Sequence, residues 1–186
     1  MSLPPILQRN LIVKISELII KMSREVTYKV SIDMPREQAW EIMKDITAPH
    51  KYVPGLLKTE MHTEQTSGVG TSRRVFKKMM ALDETVTEWK EGYGFTIRLH
   101  DGLKEKPLPK AYFIYAIDNG VNNTTQFTAT MGYTFPLGFI GRMIDSLFVA
   151  PIVQGEIRGV ALAVKHFYEQ GTTPTKADLK ALRKKF

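Results

Sequence analysis

The side chains able to do chemistry in this 186-residue chain are few in kind. It has no cysteine, which excludes thiolate catalysis, iron–sulfur clusters, cysteine-ligated zinc and any disulfide scaffold. The four histidines, His50, His62, His100 and His166, have no metal-ligand spacing. His62 and His100 alternate onto the polar faces of their strands, so the histidines read as surface residues and no metal site is expected. Gly68-Val69-Gly70 lacks the third glycine and following helix of a dinucleotide loop and reads as a hairpin turn; no GxSxG, HExxH or GKS/T pattern occurs. Acid–base work would fall to Asp83 or Glu84, to the phenols of Tyr115 and Tyr133, or to Arg158. None is singled out by spacing. Glu84 reads more simply as a surface partner of Arg73 or Arg74 on the adjacent strand, so no catalytic residue is assigned and no cofactor is expected.

Charge narrows the partners. The net charge of +7 comes from 26 Lys+Arg against 19 Asp+Glu, but residues 1–25 carry +2 and residues 172–186 carry +4. The body between them is nearly neutral, which excludes the basic face that nucleic acid requires. Residues 6–22 gather Asn10, Lys14, Glu17 and Lys21 on one helical stripe beside a wide apolar surface. That surface must pack on the domain, on a second copy as a homodimer, or on an anionic membrane together with the basic tail. Charged residues interrupt the apolar runs before the ~20 residues of a membrane span, so a soluble, cytoplasmic protein is expected.

The elements that would position these side chains form an α+β series. Val26, Tyr28, Val30 and Ile32 alternate with polar residues as a strand with one buried face, and Asp33-Met34-Pro35 opens a helix over about 36–46. Six further strands follow at about 57–65, 71–79, 82–90, 93–100, 110–118 and 124–135. Their short connections predict an antiparallel meander. Residues 138–170 read as one long helix kinked at Pro151 and stopped by Gly171, with a short basic helix after it. Gly155 and Gly159 share a helix face, which implies close approach to the sheet or room for a ligand.

Three stretches carry a family resemblance. They are Met34-Pro35-Arg36-Glu37-Gln38-Ala39-Trp40; Gly68-Val69-Gly70-Thr71-Ser72-Arg73-Arg74 with Glu84-Thr85-Val86-Thr87-Glu88-Trp89; and Phe139-Ile140-Gly141-Arg142-Met143-Ile144-Asp145-Ser146-Leu147-Phe148. In order and spacing the chain resembles the START-like (SRPBCC) superfamily, in its polyketide cyclase/dehydrase and lipid-transport branch. The resemblance implies a helix-grip fold, a seven-stranded curved antiparallel sheet wrapped around a long C-terminal helix. That domain would occupy residues 26–171, between an N-terminal amphipathic helix (1–25) and a basic tail (172–186).

Such a fold implies an apolar cavity between sheet and helix. Keeping Glu88 and Lys90 in solvent turns Thr85, Thr87 and Trp89 inward. Beside them would lie Tyr28, then Phe95, Ile97 and Leu99, then Phe113 and Tyr115, then Phe127, Ala129, Met131 and Tyr133. From the helix Leu147, Phe148, Pro151, Gln154, Arg158 and Ala161 would face them. Mainly apolar walls with a few hydroxyls suit a hydrophobic or amphipathic small molecule. The expected function is therefore a lipid- or polyketide-like ligand carrier, without a catalytic step. The alternative is an aromatase/cyclase- or dehydratase-type enzyme using the same cavity.

Overall fold

The computed structural model describes residues 23–100, 111–134 and 145–186. The expected 6–22 helix and residues 138–144 of the expected long helix lie outside them. Seven strands form one antiparallel sheet: β1 (Ser23–Ile32), β2 (Lys58–Met61), β3 (Ser72–Phe76), β4 (Ala81–Lys90), β5 (Gly94–His100), β6 (Ala111–Asn119) and β7 (Thr125–Thr134). Their order is β1-β7-β6-β5-β4-β3-β2, a meander from β2 to β7 closed by the first strand pairing with the last. Helix α1 (Arg36–Met43) follows β1, a short 3₁₀ turn covers Pro49–Lys51, and α2 (Ala150–Gln170) packs on the sheet against β1 and β7. The alternation read from the sequence sets which face is buried. Val30, Ile97, Ile117, Phe127 and Ala129 all lie on the side facing α2, hereafter the inner face.

A π-helical turn, Asp145–Val149, leads into α2. Pro151 therefore sits in the first turn of the α-helix, where its missing N–H breaks no bond, and the kink expected there is replaced by the π turn before it. Gly171, at φ 68°, ends α2. The inner stripe of α2 is Ala150, Ile157, Val160, Ala161, Val164 and Tyr168. By length and composition the Asp145–Gln170 segment could cross a membrane, but this stripe is covered by the sheet.

The chain ends in α3 (Lys176–Lys185), opened by a capping box in which Thr175 and Asp178 bond each other's backbone N–H. It lies against α2: Arg158 Nη2 donates to the Arg183 carbonyl at 2.7 Å. A Cβ on Gly159 would stand 3.0 Å from the mobile end of Arg183, at Nη2, while a Cβ on Gly155 would meet nothing within 4 Å. Neither Cβ would lie within 4 Å of a sheet atom, so the expected close approach to the sheet is absent. On the outer face Gly132 admits the ring of Tyr112, whose hydroxyl reaches across to Glu25 on β1 at 2.5 Å.

Candidate ligand-binding face

Strand register arranges the inner face in rows. One row, Val30, Phe127 and Ile117, is fully buried beneath the helices. The next runs Tyr28, Ala129, Tyr115, Phe95 and Trp89, and the next Val26, Met131, Phe113, Ile97 and Val86. In these two rows Tyr28, Tyr115, Met131 and Phe113 are only partly buried, although β6 and β7 are interior strands. The aromatic rings are continuous: Trp89 stacks on Phe95 at 5.4 Å, Phe95 meets Tyr115 edge-on at 5.6 Å, and Tyr115 stacks with Phe127 at 6.0 Å and Phe113 at 6.1 Å.

Several expected wall residues lie elsewhere. Thr85 and Thr87 are on the outer face, Thr85 hydrogen-bonded to Ser72 and His100 and Thr87 exposed. A β-bulge between Val86 and Glu88 is the cause: counting by twos back from Trp89 crosses an extra residue, so Val86 and Glu84 point inward instead. Leu147 (63% exposed), Phe148 and Pro151 point away from the sheet. The π turn inserts one residue between Asp145 and Ala150, both buried, and Ser146, Leu147 and Phe148 between them are exposed. Gln154 is exposed, and Arg158 turns toward α3 with its guanidinium 6.0 Å from the Tyr28 ring centre.

Two expected wall residues have committed their polar atoms. Tyr133 donates to Asp145 Oδ1 at 2.6 Å while Arg24 Nε holds Asp145 Oδ2 at 2.8 Å, a latch between β1, β7 and the start of α2. Burial and the adjacent carboxylate push the Tyr133 phenol well above its ordinary pKa, so it remains a donor. Trp89 and Trp40 both donate their indole N–H to Glu91, each at 2.8 Å. Those two bonds hold the Glu91 carboxyl below its ordinary pKa and tie α1 to the β4–β5 hairpin.

The inner face also holds charge. Arg73 Nε meets Glu84 Oε2 at 2.6 Å, both side chains buried, and Arg73 Nη1 also donates to the Ile46 carbonyl. The expected surface pairing of Glu84 is thus a buried one, because Glu84 lies on the inner side of the bulged strand opposite Leu99. Asp83, one residue earlier, faces outward and accepts from Arg74 and His62, which holds its carboxyl far below its ordinary pKa.

Around the buried pair stand three phenols. Tyr52, from the loop after the 3₁₀ turn, packs on Phe167 and Tyr168 of α2 with ring centres 5.3 and 6.4 Å away. Burial pushes the phenols of Tyr52, Tyr115 and Tyr168 above their ordinary pKa, and the nearby Glu84 carboxylate adds to the rise at Tyr52 and Tyr115. Their hydroxyls have no hydrogen-bond partner among the described residues. No group of acids and histidines able to hold a metal occurs among those residues either.

An antiparallel sheet gripping a terminal helix, with polar groups set into an aromatic inner face, meets its counterpart in one family model. The model for polyketide cyclase / dehydrase and lipid transport matches residues 23–166. The chain belongs to this family. The match runs from β1 through most of α2 and leaves α3 outside. Among solved structures, TTHA0849 from Thermus thermophilus is similar at a TM-score of 0.59 and 15% identity, covering 78% of this chain and 97% of that one. The hypothetical protein jhp0584 from Helicobacter pylori gives 0.61 and 11% over 78% and 88%, and Ara h 8.0201 gives 0.53 and 12% over 78% and 97%. At these identities the likeness is one of fold. A search of curated proteins finds no significant match. Tyr52, Tyr168 and the inward Arg73 are not among the site residues expected from the sequence. The family's fold brings them together from a loop, a helix and a strand, and no local spacing marks them.

Proposed function

We propose that the protein binds and carries a hydrophobic or amphipathic small molecule on the inner face of its sheet, beneath α2. The observation behind this reading is Tyr115. It sits mid-strand on β6, third of seven strands, among aromatic and aliphatic neighbours, yet it is only partly buried while Ile117, two residues on, is fully covered. A core built only for stability closes over the middle of its sheet. Aromatic walls with a few fixed donors are what a small apolar ligand requires, and removing apolar area from water at about 25 cal/mol per Å² would supply its affinity.

Glu84 favours the enzymatic alternative, because it brings a carboxylate to the side that Tyr115 occupies. It is held in an ion pair, however, and the phenols are kept protonated, so these groups act as donors and structural charges rather than as bases. Native mass spectrometry and solvent extraction of the purified protein test the carrier reading. A bound apolar molecule is expected. A ligand-free protein with no thermal shift across a panel of lipids and polyketides overturns it.

A further inference from the structure

Resting on that carrier reading, the chemistry of the inner face selects among apolar ligands. We infer that the bound molecule is uncharged where it meets the sheet and presents hydrogen-bond acceptors, as a ketone or ester carbonyl does, to the hydroxyls of Tyr52, Tyr115 and Tyr168.

The donors are in place and unused. Tyr168 is 6% exposed and its hydroxyl, like those of Tyr52 and Tyr115, bonds to no described residue. A phenol hydroxyl that bonds to no described residue is free to donate to an acceptor on a ligand. Tyr52 and Tyr168 face each other from the loop and α2, and Tyr115 approaches from the sheet, so the three come from three separate elements.

The buried ion pairs on this side are already matched. Arg73 is matched by Glu84 and the Ile46 carbonyl, Arg24 by Asp145, and Lys165 by Glu169 at 2.6 Å and the Ser31 carbonyl. Arg158 has no anionic partner among the described residues; it donates to the Arg183 carbonyl in the last turn of α3, where a cation is favoured by the helix dipole. A carboxylate entering beside the phenols would lose its hydration and find Arg73 already paired with Glu84, and an ammonium would find Glu84 already paired with Arg73. A neutral acceptor loses much less on entry and gains phenolic hydrogen bonds. The protonated state of the phenols agrees, since burial pushes all three upward.

The test is a set of ligands matched in apolar length: a tridecanone, methyl dodecanoate, dodecanoate, dodecylammonium and dodecane. Each is titrated into the full chain at neutral pH by calorimetry below its aggregation limit. The ketone and ester are expected to bind at least about tenfold tighter than the alkane, with the two ions weakest. Tyr115→Phe and Tyr52→Phe, which keep the ring, are expected to reduce ketone binding to the alkane level. Dodecanoate or dodecylammonium binding as tightly as the ester overturns the inference while leaving the carrier reading intact, and so does a ketone that binds no better than dodecane. Binding of none of the five, with nothing co-purifying, removes the carrier reading as well.

Discussion

The two ends of the inner face are built from the same strands and packed to different densities. At one end Val30, Ile117 and Phe127 are closed over by α1 and the C-terminal half of α2, whose last turns are tied to β1 through Lys165 and Glu169. At the other, Tyr28, Met131 and Phe113 are half-covered, and α2 begins with a π turn whose Leu147, Phe148 and Ile152 stand 63–67% exposed. Of the polar groups, Arg24–Asp145–Tyr133 belongs to the start of α2, whereas Arg73–Glu84 is buried against the Ile46 carbonyl. Stability is therefore concentrated at one end of a continuous sheet, which lets the other remain available for a ligand without loss of the fold.

Truncations should separate the two ends most clearly. Phe127→Ala at the closed end is expected to lower unfolding free energy by about 3–5 kcal/mol, and Phe113→Ala at the open end by less than half of that. Equal losses in urea titrations would erase the distinction. Next, Glu84→Leu leaves Arg73 buried without its partner and should lose about 3 kcal/mol, whereas Arg73→Met with Glu84→Leu should return close to the parent stability. A double variant as weak as the single one would show that the pair does more than neutralise itself.

Asp145→Asn weakens the latch at the start of α2 and should lose about 2 kcal/mol, detected as a lowered urea midpoint with faster amide exchange confined to residues 145–155. Uniform exchange would mean that the open end is not an independent unit. The smallest effect concerns the outer face, which serves as a control. The folded-state pKa of Asp83 is depressed, so its stabilisation is present at neutral pH and is lost as pH falls below the ordinary carboxylate value of about 4. The stability difference between the parent and Asp83→Asn should accordingly shrink between pH 7 and pH 3.

The strands are legible because alternation and turn residues act locally, and all seven are found within a few residues of their expected bounds, as is α1. Face assignments fail where one residue is inserted without a sequence mark. No glycine or proline announces the bulge beside Thr87, so alternation alone turns Thr85 and Thr87 to the wrong side. The π turn does the same to Leu147 and Pro151. Sequence pattern puts Arg73 and Glu84 at the surface because charge on a strand ordinarily faces solvent, and only the approach of Ile46 and Tyr52 reveals that here it does not. Helix α3 is announced by its run of basic residues, yet its seat against α2 depends on the Arg158–Arg183 hydrogen bond, between residues well apart in the chain.

The Glu91 clamp also bears on how this molecule can be observed. The chain has two tryptophans, and both indoles bond to the same carboxylate with ring centres 5.1 Å apart. Indole emission and near-ultraviolet dichroism thus originate from a single spot, where α1 meets the β4–β5 hairpin beside Phe95. A fluorescence-detected melt will report the parting of that junction, and a ligand stacking against Phe95 would change the signal without any unfolding at all.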